Sequence, residues 1–323
     1  MTTLTSPGAK PRMNGTTTAR LHLSTPGDGA MRVSVAVACL LALIGYSPSR
    51  LHAKEPVAER ITFMSADGRT TLVGYLFKPA TPAATRVPAV VMMHGRAGAY
   101  SERADGVYDA STLSLRHKAW GREWAEAGYI GLLVDGFGPR GYAQGFPQHS
   151  YESRPAELNE VTVRPLDAYG ALRYLRSRPD VIADRIGLQG WSNGGSAAIA
   201  TMAFDAPGIT APTAATGFRA ALVFYPACGL KGQFDEKPFR PYAPVLVFHG
   251  TADEEVSYKR CTALVEMSQE NGGNVQIKIY RGATHSFDSP SRKRQKVDAN
   301  ADATKDAVEQ SLRFFAQYLG GKQ

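Results

Sequence analysis

Six strand-like segments constrain this chain more than any other feature: Pro88–His94, Tyr129–Asp135, Arg185–Gln189, Arg219–Tyr225, Pro244–His249 and Asn274–Tyr280. Pro88–His94 and Tyr129–Asp135 are near-continuous apolar runs, which suits strands buried on both faces. Helical patterns fall between or after them, over Leu115–Ala127, Asn159–Leu175, Asn193–Ala203, Val256–Glu270 and Thr304–Leu319. In the last, Val308, Leu312, Phe315 and Leu319 share one face at helical spacing. Strands alternating with helices predict a mainly parallel sheet covered on both sides, the α/β class. Upstream, Glu59–Met64 and Thr71–Phe77 flank Asp67-Gly68, which predicts an N-terminal hairpin. No internal repeat and no second core are visible, so residues 54–323 are expected to form one domain.

Residues 1–53 are set apart from that domain. The first thirty are rich in Thr, Gly, Pro and Ser and lack periodicity, the composition of a disordered segment. From Met31-Arg32 the chain runs apolar through Val33–Tyr46 and reaches small residues at Ala53. This is the layout of a secretory signal peptide, with cleavage expected after Ala53. The run is too short for a comfortable membrane span, although an uncleaved anchor is the alternative. Translation starting at Met31 would explain the upstream segment. The protein is then expected in the periplasm or outside the cell. Cys228 and Cys261 are the cysteines left in the mature chain. In an oxidising compartment they could pair, which spacing alone leaves open.

The chemistry gathers where such sheets keep it, beyond the carboxyl ends of the strands. Gly190-Trp191-Ser192-Asn193-Gly194 is a G-x-S-x-G stretch between an apolar strand and a helix of small residues. It predicts a sharp turn that presents the Ser192 hydroxyl. A serine hydroxyl needs a base to remove its proton during attack. The chain has seven histidines. His22 and His52 lie in the leader, His94 and His249 close strands, His117 is on a helix and His149 in a long loop. His285 follows the last strand in a loop able to fold back over the serine, and is the expected base. Asp253 follows the preceding strand and is the expected acid, in the chain order Ser, Asp, His. Glu254 and Glu255 compete for that role, or else mark an exposed helix start.

The oxyanion requires backbone N–H donors. The Asn193 amide opens a helix directly after the nucleophile. A second donor is expected from His94-Gly95-Arg96-Ala97-Gly98, at the Arg96 amide. Arg96 and Arg140 are candidates for a substrate carboxylate, and Trp191, Tyr100 and Phe137 for an apolar pocket wall. Packing explains the aromatics equally well. The loop from Gly136 to Leu158 is expected to shape the pocket.

With these residues in place the chain resembles the dienelactone hydrolase family of the α/β-hydrolase superfamily, over roughly residues 58–320. The resemblance rests on the His94-Gly95 loop, Val134-Asp135-Gly136-Phe137-Gly138-Pro139-Arg140-Gly141, the Ser192 turn, Phe224-Tyr225-Pro226, Asp253 and the Gly282–Phe287 stretch. It implies an α/β-hydrolase fold and a triad of Ser192, Asp253 and His285. The enzymes that name the family carry cysteine where this chain has Ser192.

These features predict a serine hydrolase acting on small-molecule esters or lactones, with no metal or organic cofactor. The net charge is +8, half of it in residues 1–53. The remaining excess is too small to imply nucleic-acid binding. The densest basic run, Arg292-Lys293-Arg294-Gln295-Lys296, is expected to be a solvated loop. An acyltransferase or peptidase with the same triad, or an inactive binding protein on this scaffold, are the rival functions.

Overall fold

The computed structural model describes residues 58–80 and 85–320. The expected leader and its cleavage site lie outside the described residues. Among the described residues eight strands form one sheet: β1 (Glu59–Met64), β2 (Thr71–Phe77), β3 (Val87–Met93), β4 (Ile130–Asp135), β5 (Val181–Trp191), β6 (Ala221–Phe224), β7 (Val245–Gly250) and β8 (Val275–Tyr280). Their order is β1-β2-β4-β3-β5-β6-β7-β8. The β1–β2 hairpin is antiparallel and joins β4 antiparallel; every other pairing is parallel. The α/β class, the hairpin and the parallel sheet are therefore as the sequence predicts.

Six α-helices of the described residues accompany the sheet: α1 (Leu115–Glu126), α2 (Arg164–Arg176), α3 (Asn193–Met202), α4 (Tyr258–Glu270), α5 (Arg292–Gln295) and α6 (Asp298–Leu319). Side chains alternate along each strand, so one strand feeds two cores. Ala89, Val91 and Met93 of β3 face the core shared with Leu172, Ile199 and Leu264 of α2, α3 and α4. Val90 and Met92 face the opposite core, with Trp120 and Trp124 of α1 and Phe315 of α6. Burial on both faces is why β3 and β4 read as near-continuous apolar runs, whereas β8, at the sheet edge, alternates with polar residues and buries only Val275 and Tyr280.

Some boundaries differ from expectation, for local reasons. α2 begins at Arg164 rather than Asn159, because the Asn159 side chain accepts from Val161 N and Thr162 N and closes a separate turn. Pro165 then occupies the first helical turn, where its missing N–H costs nothing. β5 starts earlier, at Val181, since Ala183, Asp184 and Arg185 are exposed and carry no apolar pattern. α6 begins at Asp298 because its first turn buries a polar residue, Asn300, which apolar periodicity does not mark. The basic run is solvated as expected at Arg292, Lys293 and Lys296, but Arg292–Gln295 form a short helix rather than a loop, and Arg294 Nη1 donates to Glu254 Oε1 at 2.6 Å.

α6 is held to the sheet by Phe315, which is fully buried against Trp124 and faces Gly187 of β5. A Cβ on Gly187 would stand 2.7 Å from the Phe315 ring. Phe315→Ala should lower unfolding stability by about 3–5 kcal/mol, read from urea denaturation. A loss below about 1 kcal/mol would mean that α6 contributes little to the core.

Candidate active site

β5 ends at Trp191, Ser192 makes the turn and Asn193 opens α3. Ser192 has φ 52° and ψ −118°, a conformation that costs a non-glycine residue about 1–3 kcal/mol. Neighbouring backbone enforces it. Ser192 N donates to Phe224 O of β6 at 2.9 Å, and Ser196 N donates to Ser192 O at 2.9 Å. The glycines of the motif are required by space. A Cβ on Gly190 would stand 2.1 Å from Gly194 O, and one on Gly194 would stand 2.1 Å from Met93 O. The turn therefore packs strand, helix and the end of β3 at main-chain distance.

The loops after β7 and β8 close over this turn. A Cβ on Gly250 would stand 2.1 Å from Ala283 O, and Ala252 N donates to Ala283 O at 3.0 Å. His285 is brought to Ser192, with Nε2 3.1 Å from Oγ. Its Nδ1 lies 2.8 Å from Asp253 Oδ2. A carboxylate accepts, so Nδ1 carries the proton and Nε2 presents its lone pair to the hydroxyl. Asp253 is itself fixed by Glu255 N and Val256 N, which donate to its Oδ1 at 2.9 and 2.8 Å. Tyr225 packs its ring against the imidazole, with centroids 4.7 Å apart.

Among the described residues no other histidine hydrogen-bonds Ser192, although His149 lines the cavity that opens there. His94 and His117 are buried, and desolvation holds both below the ordinary imidazole range, His117 at about 3. His249 comes within 3.8 Å of Asp253 but is also buried, and desolvation lowers its pKa. The competing glutamates have other partners. Glu254 accepts the His285 backbone N–H at 2.9 Å and a bond from Arg294. Glu255 takes a bidentate pair from Arg96, Nε and Nη2 each at 2.8 Å, and a bond from Gln148 at 2.7 Å. It is not an exposed helix start, for α4 begins only at Tyr258 and its side chain is 11% exposed.

The loop after β3 lies against the nucleophile. A Cβ on Gly95 would stand 3.2 Å from Trp191 O and 3.4 Å from Ser192 Cβ. Among the described residues neither the Arg96 nor the Asn193 amide donates to a backbone carbonyl. A cavity of about 470 Å³ opens at Ser192, lined by Arg96, Asn193 and Glu255. Arg154, Lys231 and Arg260 also line it. Arg154 and Lys231 lie over the Tyr151 ring, at 5.5 and 4.1 Å from its centroid. Cys228 and Cys261 are joined as a disulfide, which ties the cavity lining at Cys228 to α4.

Four residues expected to line the pocket do not reach it. Arg140 donates to both carboxylate oxygens of buried Asp167 at 2.9 Å and is committed to that pair. Trp191 is fully buried, and its Nε1 donates to Asp288 Oδ2 at 2.8 Å. Tyr100 donates to buried Asp135 at 2.9 Å, and Phe137 packs edge-on against His94. Packing, the plainer explanation, accounts for the aromatics. The guanidinium of Arg96 is taken by Glu255 and by Phe146 O, so it is not a free anion site. Arg154, Lys231 and Arg260 escaped the sequence because each stands in an irregular loop or beside a cysteine, with no fixed spacing to Ser192.

Over residues 72–319 the sequence matches the dienelactone hydrolase family. The chain belongs to that family. It is 27% identical over 253 residues to a probable 2-oxo-3-(5-oxofuran-2-ylidene)propanoate lactonase of Bradyrhizobium, spanning 73% of this chain and 86% of the relative. A shorter match, 35% over 106 residues, links it to acyl-protein thioesterase 1 of Neurospora crassa, spanning 32% of this chain and 40% of that protein. The fold matches the apo form of esterase 2 from Thermogutta terrifontis with a TM-score of 0.56 at 22% identity, covering 83% of this chain and 97% of the esterase. It also matches a dienelactone hydrolase-like promiscuous phosphotriesterase from metagenomic libraries, with a TM-score of 0.58 at 19% identity, covering 81% of this chain and 98% of that one.

Burial raises the Glu255 pKa, but the Arg96 hydrogen bonds, the nearby His285 and the Gln148 bond outweigh it and bring it down to about 2. A carboxylate depressed on folding contributes stability above its unfolded pKa and loses it as pH falls through the folded value. Stability from this group should therefore be full above about pH 4.5 and disappear towards pH 2. Urea titrations of Glu255→Gln should show a shallower acid loss than wild type between those values; parallel curves would mean that the pair does not contribute.

Proposed function

We propose that this chain hydrolyses carboxylic esters or lactones through an acyl-enzyme on Ser192. The observation that carries this is the unbroken hydrogen-bond chain from Ser192 Oγ through His285 to Asp253, opening on a cavity lined by Arg96 and Asn193. Oγ attacks the carbonyl carbon and its proton passes to His285 Nε2. Asp253 holds the imidazole in the correct tautomer and stabilises the cation. The carbonyl electron pair moves to oxygen, which faces the amides of Arg96 and Asn193. Collapse breaks the bond to the leaving oxygen, which takes the proton from Nε2; in a lactone the leaving oxygen stays tethered to the acyl group. Water then attacks the acyl-enzyme, giving its proton to Nε2, and Ser192 is restored.

The substrate class we propose is an ester or lactone bearing a carboxylate. The Bradyrhizobium relative is named for a lactone that is also a propanoate. In this chain Arg154, Lys231 and Arg260 line the cavity, with Asp235 and Glu255 as its acidic residues. Membership of a family whose founding enzymes use cysteine does not require their substrate, because serine and cysteine esters differ in reactivity. We also propose that the protein is exported, with a leader removed after Ala53. The Cys228–Cys261 bond supports this, since disulfides persist in oxidising compartments.

Ser192→Ala should lower kcat at least about 10⁴-fold on any ester the enzyme accepts, and Asp253→Asn by a comparable factor. A fluorophosphonate should label Ser192 and spare Ser192→Ala; labelling elsewhere, or activity in the alanine variant, would refute the mechanism. Arg154→Ala and Lys231→Ala should each raise KM about tenfold for a carboxylate-bearing lactone and leave a neutral ester unchanged. Equal effects on both substrates would remove the anion from the proposal. N-terminal sequencing of the exported protein should begin at Lys54, and a cytosolic protein retaining Met31 would count against export.

A further inference from the structure

Arg164 opens α2, far in sequence from the serine turn, and its side chain is wholly buried. Its Nη1 donates to His94 O and to Asn193 Oδ1, each at 2.7 Å. These two acceptors belong to the two segments that carry the proposed oxyanion donors. His94 leads into the Gly95-Arg96 loop after β3, and Asn193 follows the nucleophile. One guanidinium nitrogen thus grips both donor-bearing segments, which come from separate strands.

The remainder of the group is unusual for a buried cation. Among the described residues Arg164 Nε and Nη2 have no hydrogen-bond partner. Its face lies 5.0 Å from the Phe137 ring centroid. Asp167, Glu160 and Asp135 act on it only at longer range, and the Asp167 hydrogen bonds go to Arg140 and Ser65. Desolvation pulls its pKa down to about 10, so it remains charged at neutral pH. A buried charge this incompletely paired costs the fold free energy, and a neutral side chain of similar size would fill the space. What a neutral side chain cannot do is hold a carbonyl and an amide oxygen together with one nitrogen, while placing positive charge behind a forming oxyanion.

We propose that Arg164 is a positioning residue for the oxyanion site: it locks the β3 loop and the α3 amino end in register and supplies a fixed positive charge behind them. The proposal rests on the oxyanion assignment made above. Fixed dipoles and charges matter most where they need not reorganise during reaction. Interactions made only in the transition state lower kcat when removed and leave ground-state binding alone.

The test compares wild type with Arg164→Met, Arg164→Lys and Asn193→Ala on p-nitrophenyl acetate, with thermal unfolding to verify folding. Each is also titrated with an aryl trifluoromethyl ketone and with the corresponding secondary alcohol. The ketone accepts Ser192 Oγ at its carbonyl carbon, His285 takes the serine proton, and the oxygen becomes the anion; the alcohol binds without forming it. Arg164→Met should lower kcat about 30–100-fold with KM within about threefold of wild type. Its inhibition constant for the ketone should rise by the same factor as kcat/KM falls, and that for the alcohol should not move. Arg164→Lys keeps the charge but loses the planar fork, and should recover part of the loss. Asn193→Ala removes one of the two acceptors and should lose about 5–10-fold, so it carries the test if Arg164→Met does not fold. Wild-type kcat in folded Arg164→Met or Asn193→Ala, or equal loss of ketone and alcohol binding, would overturn the positioning role. Failure of the underlying mechanism reads differently: wild-type protein would then show no preference for ketone over alcohol, and Ser192→Ala would bind both as wild type does.

Discussion

Everything at the site depends on a backbone that is held out of its preferred conformation at Ser192. A serine with φ 52° and ψ −118° relaxes unless its surroundings forbid it. Here three neighbouring segments forbid it: the β6 carbonyl of Phe224 takes its N–H, the α3 amide of Ser196 takes its carbonyl, and the end of β3 lies against Gly194. The local strain is offset by main-chain bonds and close packing in the middle of the sheet. The reward is geometric. The turn brings the hydroxyl to within 3.1 Å of His285 Nε2.

The remaining groups are arranged around that fixed point by loops that interlock rather than by regular structure. Asp253 closes its own turn through two backbone amides, and Glu254, one residue on, holds the main chain of His285. Glu255 reaches the other way, to Arg96. Three successive acidic residues thus reach the imidazole, the backbone that carries it and the loop after β3. A second anchor lies beneath. Asp288, three residues past the histidine, accepts from Trp120, Trp191 and Tyr225, and so joins the base loop to the residue preceding the nucleophile. Trp191 has a structural task in that junction, which is why it is absent from the cavity wall.

The sheet and the reacting residues were legible because each has a strict requirement. Continuous apolar runs such as Val87–Met93 have few alternatives to a doubly covered strand, and the serine turn needs glycines at Gly190 and Gly194 because main chain occupies their Cβ positions. The order of strands supplied the rest, since Asp253 and His285 follow neighbouring strands at the same sheet edge. Substrate contacts were not legible. Arg140 looks like an arginine free in a glycine-rich loop, but its partner Asp167 lies on a helix and no spacing connects them. Lys231 and Arg154 meet across the Tyr151 ring from separate irregular segments, an encounter fixed only by tertiary packing. Arg164 escaped for the same reason, hidden at a helix start where a basic residue usually faces water.

The position of β8 at the rim of the sheet has a kinetic meaning. The serine sits on a central strand, but the histidine follows the outermost one, whose sheet pairing is with β7 alone. Turnover therefore demands that the last strand has docked, whereas far-ultraviolet ellipticity reports helices and strands already present. Regain of catalysis during refolding would consequently time the closure of that rim, and its early loss on heating would announce fraying there while most of the sheet persists.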